Sequence, residues 1–142
     1  MSYCSDVKVR LKGKRLAEIV EKLDKYAESK PEGYHENVAR EFDRFEVIGA
    51  TPDNDYYVEL TYNCVKWYGD DVDKFMELVT SSEEYAYARI GEGQGDVETD
   101  FNGEIEPIYV YSTFDSTYDV KNKDEDEKRE TDAEIYKNIF KC

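Results

Sequence analysis

Residues 56–68 constrain the fold more than any other stretch. They are dense in β-formers, with Val58, Leu60, Tyr62 and Cys64 on one face and Tyr57, Glu59, Thr61, Asn63 and Val65 on the other. A strand with one apolar face needs neighbours along its edges and a layer above that face, and the rest of the chain reads as the supply of both. Val7, Val9 and Leu11 alternate with Lys8, Arg10 and Lys12, which predicts a half-buried strand with a basic outer face, ended by Gly13. Leu16, Ile19, Val20, Leu23 and Ala27 follow helical spacing over residues 14–29. After a loop at 30–33 and a short helical turn within 36–43, Phe45, Val47 and Gly49 mark a strand at 45–50. Thr51-Pro52-Asp53-Asn54-Asp55 turns it into a hairpin with the long strand.

Gly69-Asp70-Asp71 opens a second helix, with Asp70 or Asp71 as the expected cap and Val72, Phe75, Met76 and Val79 as its buried stripe. A strand is expected at 85–90 and a flexible glycine loop at 91–95. Strands at 96–101 and 107–113 are expected to be joined as a hairpin through Asn102-Gly103. The order strand–helix–strand–strand–helix–strand predicts an α+β two-layer sandwich: a ferredoxin-like split βαβ arrangement with an antiparallel sheet, two helices on one face and an extra C-terminal hairpin. The other sheet face is expected to stand open. Residues 1–118 form the predicted domain. Residues 119–142 form a charged, partly helical C-terminal segment that docks through Ile135, Ile139 and Phe140.

Charge narrows the function classes. The chain of 142 residues carries 34 acids against 19 Lys and Arg, a net of -15. Between Arg89 and Lys121 there is no base and there are eight acids: Glu92, Asp96, Glu98, Asp100, Glu104, Glu106, Asp115 and Asp119. Such a surface repels nucleic acid and anionic membranes, which require Lys and Arg, and favours a basic protein partner or cations. Residues 1–30 run the other way, with eight bases against five acids, so pairing within the chain is an equal expectation. The 13 Tyr, 6 Phe and 1 Trp argue for a folded chain rather than a disordered acidic one. Cys4, Cys64 and Cys142 are odd in number and widely spaced, which predicts free thiols in a reducing, cytoplasmic compartment, with Cys64 a small core residue. No apolar run reads as a membrane span or a secretion leader.

Catalytic patterns are weak. His35, the single histidine, lies in a loop without a nucleophile signature. Gly91-Glu92-Gly93-Gln94-Gly95 lacks the phosphate-loop spacing and its lysine. A calcium loop starting at Glu98 would place Asp100, Asn102 and Gly103 suitably, but position 12 is Tyr109 rather than a bidentate Glu. The cysteines and His35 match no zinc-module spacing. No enzyme, cofactor or metal is therefore expected. The candidate partner-binding residues are Glu92, Asp96, Glu98, Asp100, Glu104 and Glu106, with Trp67 and Tyr68. Trp67 reads either as a cover for the sheet edge or as an aromatic anchor.

Lys66-Trp67-Tyr68-Gly69-Asp70-Asp71, then Phe75-Met76 and Arg89-Ile90-Gly91-Glu92, resemble a group of uncharacterised small acidic phage proteins over residues 56–100. The resemblance implies a ferredoxin-like accessory protein made in a bacterial host cytoplasm, with no catalytic residues to carry over. The leading expectation is a non-enzymatic, nucleic-acid-mimicking inhibitor of a CRISPR or restriction nuclease, or of another basic host protein. The alternatives are a small-ligand binder that sequesters a nucleotide signal through Tyr stacking and Arg89, and a structural subunit that self-associates as a homodimer.

Overall fold

The structure, a computed structural model, describes residues 3–30, 37–110 and 125–140, with residues 125–130 as backbone alone. Five strands form one antiparallel sheet: β1 (Ser5–Lys12), β2 (Arg44–Ala50), β3 (Tyr56–Val65), β4 (Tyr85–Gly91) and β5 (Val97–Asn102). Their spatial order is β2-β3-β1-β4-β5. Helices α1 (Gly13–Glu28), α2 (Asp70–Thr80) and α3 (Glu125–Ile139) complete the α+β fold, with a short 3-10 turn at Val38–Arg40. No helix among the described residues is long and apolar enough to cross a membrane.

β1 is central because both its faces are used. Val7, Val9 and Leu11 are at most 1% exposed and pack beneath Leu16, Ile19, Val20 and Leu23 of α1 and Val72, Phe75 and Val79 of α2. The helix layer holds three helices rather than the two expected. Ile135, Ile139 and Phe140 of the C-terminal segment are buried in the same core, and Phe140 joins an aromatic cluster with Phe42 (centroids 4.9 Å apart) and Phe45 (5.7 Å, edge-on). Asp132 Oδ1 also accepts the Val47 N–H at 3.3 Å, so α3 lies against β2 at that edge of the sheet.

Local signals hold α1 and α2 in different ways. Asp55, in the turn between β2 and β3, is buried and accepts the Lys14 N–H at 3.2 Å, satisfying a donor in the first turn of α1. In α2 the N-cap is Gly69 at φ 104 and no side chain caps it. The expected cap residues Asp70 and Asp71 instead lie with Asp73 inside the first turn, where their charge favours the helix dipole.

The outer sheet face is not open throughout. After β5 the chain turns at Gly103 (φ 80) and crosses this face instead of returning as the expected hairpin strand. Ile105 and Ile108 seat over Ala86 and Ala88, with Tyr57 and Val110 beside them. The small alanines make room for the strap. Of the strand expected at 107–113, only Val110 forms a bridge, and 111–113 lie outside the described residues. Arg10 Nη1 donates to the Glu106 carbonyl at 3.0 Å, and Arg10 Nε pairs with Glu59 at 2.7 Å, with both side chains under a tenth exposed. Lys8 reaches the other Glu59 oxygen at 3.3 Å, and Lys12 pairs with Glu84 at 2.9 Å. The basic face of β1 is thus answered from within the chain.

One β-bulge overturns the cysteine expectation. Ser5 pairs with Val65 and Val7 with Tyr62, so Asn63 and Cys64 together oppose Asp6. The extra residue breaks the alternation, and Cys64, at φ 49, is exposed rather than a core residue. Its N–H donates to Asp6 Oδ1 at 2.9 Å. Cys64 and Cys4 are joined as a disulfide across 60 residues of sequence, not held as free thiols. Cys142 lies outside the described residues.

Two stability outcomes follow from this architecture. Glu59→Ala strands Arg10 beneath the strap and should lower unfolding free energy by about 3–5 kcal/mol in urea titration; a loss under ~1 kcal/mol would mean the pair is solvated. Cys64→Ser frees a long loop in the unfolded chain and should cost about 4 kcal/mol on the chain-entropy model, and the wild type should converge on the variant once a reductant is added.

Candidate functional site

The acidic half of the molecule is organised around Arg89. On β4, Tyr85, Tyr87 and Arg89 alternate toward the helix side, and Arg89 sits directly opposite Glu98 of β5. Its guanidinium grips Asp96 with two bonds, Nη2 to Oδ1 at 2.6 Å and Nη1 to Oδ2 at 3.0 Å. Nε binds Glu98, and Nη1 also reaches Ser5 Oγ at 3.1 Å. Hydrogen bonds from Arg89 and from the Tyr3 hydroxyl hold the Asp96 carboxyl down at about 2. The same pairing raises Arg89 above its ordinary value.

The 91–95 loop is tied down rather than loose. It closes the β4–β5 hairpin, with the Gly91 N–H on the Asp96 carbonyl at 2.8 Å and the Asp96 N–H on the Gly93 carbonyl at 3.1 Å. Tyr3 donates to Asp96 Oδ2 and accepts the Gly93 N–H at 2.7 Å. Glu92 accepts the Cys4 N–H at 2.8 Å. Gly91 is required by close approach, since a Cβ there would run into Asp96 Oδ2 and the Tyr3 hydroxyl.

The predicted acidic residues therefore fall into groups. Asp96 and Glu98 are paired with Arg89, and Glu92 faces the disulfide-bonded N-terminal segment. Asp100 accepts the Tyr85 hydroxyl at 2.7 Å and the Phe101 N–H at 2.9 Å. Glu104 and Glu106 are exposed on either side of the buried Ile105, which fixes the backbone that carries them. Asp115 and Asp119 lie outside the described residues. Trp67 packs on Tyr62 (4.9 Å) and edge-on against Phe75 (5.9 Å), whereas Tyr68 is 57% exposed.

A groove of about 470 Å³ runs between α2 and β5. Trp67, Val72, Met76 and Tyr87 give it an apolar and aromatic floor, Asp73, Glu98 and Asp100 supply carboxylates, and among the described residues no Lys or Arg lines it. Burial, reinforced by the Glu98 charge, pushes the Tyr87 hydroxyl up to about 12, so it stays protonated there. The indole Nε1 of Trp67 is buried in the same wall and makes no hydrogen bond among the described residues. Sequence reasoning missed Arg89 as the organiser, and with it Asp73, Met76 and Tyr87. The one signal in the chain was that Arg89 is the last base before the acidic run.

The weaker candidates resolve as follows. Glu98, Asp100 and Asn102 stand on an extended strand, not in a calcium-binding loop. His35 lies outside the described residues. Among the described residues the one group of metal-capable donors is Cys4, Cys64 and Glu92, within 4.8 Å of one another, but the two sulfurs are bonded to each other rather than present as thiolates.

No family model, no curated protein and no solved structure matches the chain.

The Asp96 pairing makes a pH test available. Because its folded value lies below the ordinary 3.8, the pairing stabilises the fold above about 4, and that contribution fades as pH falls toward 2. Carboxyl-carbon NMR should give Asp96 a midpoint near 2; a midpoint in the ordinary carboxylate range would show that the Arg89 clamp does not form in solution.

Proposed function

We propose that this chain is a non-enzymatic acidic binding protein on a ferredoxin-like scaffold, acting as an inhibitor that occupies the positive surface of a basic host protein such as a CRISPR or restriction nuclease. The strand order β2-β3-β1-β4, with α1 leaving β1 and α2 leaving β3, supports the scaffold assignment. The observation that carries the function is the arrangement of carboxylates. Glu104 and Glu106 flank a buried isoleucine on the strap, and Asp73 and Asp100 line a groove that no Lys or Arg among the described residues lines. Carboxylates held on ordered backbone present a fixed pattern of negative charge, which steers a basic partner and selects its orientation.

The phage-type part of the reading rests on the resemblance over residues 56–100. It does not rest on a compartment, since the Cys4–Cys64 disulfide removes the thiol argument for a reducing one. The nucleotide-sequestering alternative gains no support: the guanidinium of Arg89 is engaged by Asp96, Glu98 and Ser5, and carboxylates line the groove beside it.

The test is capture of basic proteins from a bacterial lysate, at low and at high salt, by the wild type and by a Glu92→Lys, Glu104→Lys, Glu106→Lys triple variant. Wild type should retain a basic nuclease or nucleic-acid-binding protein, high salt should release it, and the variant should lose it with an unchanged circular dichroism spectrum. Equal capture by the variant would refute the assignment.

A further inference from the structure

The groove between α2 and β5 has a chemistry that the rest of the acidic surface lacks. Its floor is hydrocarbon and aromatic, from Trp67, Val72, Met76 and Tyr87, while Asp73, Glu98 and Asp100 supply the charge. A hydrated metal ion matches only half of that lining. The described cluster of metal-capable donors is elsewhere, at Cys4, Cys64 and Glu92. An apolar ligand matches only the other half and would leave carboxylates desolvated. What satisfies both is a cation on a hydrocarbon stem.

We infer that this groove is the anchor pocket for one arginine side chain of the basic partner, an inference that rests on the function proposed above and deepens it. Arginine suits the lining better than lysine. Its planar, weakly hydrated guanidinium stacks on aromatic rings and bonds several carboxylates at once. Its methylenes cover the apolar floor contributed by Val72 and Met76. Glu98 already binds Arg89, and Asp100 already binds Tyr85 and Phe101. A carboxylate offers about four acceptor sites, so both retain capacity for a further donor. The charge balance also favours a cation from outside, because Arg89 is shared between Asp96 and Glu98 and among the described residues no Lys or Arg lines the groove. The walls come from α2, β4 and β5, with Trp67 from the connection before α2 packed against Tyr62 and Phe75, so the partner's side chain meets preformed walls.

Trp67 is the only tryptophan of the chain and lines this groove, so its fluorescence gives a local probe of it. The experiment titrates the full chain with a capped glycine–serine peptide carrying one arginine, with its lysine and norleucine analogues, and with free arginine. Trp67 emission and calorimetry are followed in parallel. The arginine peptide should give a saturable emission change that calorimetry matches and high salt reverses, and the norleucine peptide should give none. Asp100→Asn, which keeps an acceptor for Tyr85, and Asp73→Asn should each weaken binding about ten-fold. Met76→Lys places a tethered cation in the groove and should abolish binding while circular dichroism stays unchanged. Equal binding of the lysine peptide would overturn the choice of arginine, and equal binding of free arginine would overturn a protein segment as the source. Calorimetric binding that leaves Trp67 silent and survives Met76→Lys would overturn the pocket while leaving the broader function intact. Absence of any binding would also overturn the pocket, and the function itself falls only if the charge-reversed triple variant captures partners as the wild type does.

Discussion

A shortage of cations decides how this molecule is assembled. With 19 Lys and Arg against 34 acids, each base that is drawn inward fixes the position of one or more carboxylates, and those left over define the surface. Arg10 is the deepest case: it holds Glu59 beneath the strap and donates to the strap's own backbone, so the ion pair and the chain that covers it depend on each other. Arg40 binds Asp24 at 2.8 Å and lowers that carboxyl below its usual range, with Asn37 bridging to the Val20 carbonyl. Arg15 collects the carbonyl of Leu78 and the hydroxyls of Ser81 and Ser82 at the end of α2. Arg89 performs the same service at the acidic end. The uneven charge along the sequence is thereby answered in part by ion pairs: Arg10 and Glu59 are buried together, Arg89 bridges two carboxylates, and Glu104 and Glu106 stay exposed.

The amino-acid sequence carried the elements whose side chains are chosen by simple periodicity. The stripes of α1 and α2 and the alternation of β1 and β3 are short-range patterns, and burial on one face is all that sets them. The features it hid are set at long range. The bulge at Asn63-Cys64 adds one residue to β3, and alternation alone gives no sign of such an insertion, so the predicted face of Cys64 was reversed. Asn102-Gly103 did signal a turn, but where the chain goes afterward depends on Ala86 and Ala88 leaving space on the far side of the sheet. The docking of α3 depends on an aromatic cluster assembled from Phe42, Phe45, Tyr136 and Phe140, residues almost a hundred positions apart. Arg89 was visible as a base, but its pairing role was not, because its partners become neighbours only once the register of β4 and β5 is known.

The fold positions its acidic side chains in different ways. Asp73 stands in the first turn of α2, where it also offsets the helix dipole. Asp100 is held by Tyr85 and covers the Phe101 N–H on β5, an edge strand that would otherwise offer that donor to another chain. Both residues are thus positioned by local chemistry before any partner arrives, which lowers the entropic cost of using them as contacts. Glu104 and Glu106 differ in that the buried Ile105 between them fixes their backbone from the strap rather than from α2 or β5. A division of labour follows from screening: exposed charges act over about 8–10 Å at ordinary salt and so chiefly set the rate of encounter. A groove floored by buried and half-buried side chains adds short-range contacts, which chiefly set the rate of departure. A surface with both would capture a basic partner quickly through the strap and hold it at the α2–β5 groove, so strap and groove substitutions should separate into changes of on-rate and off-rate.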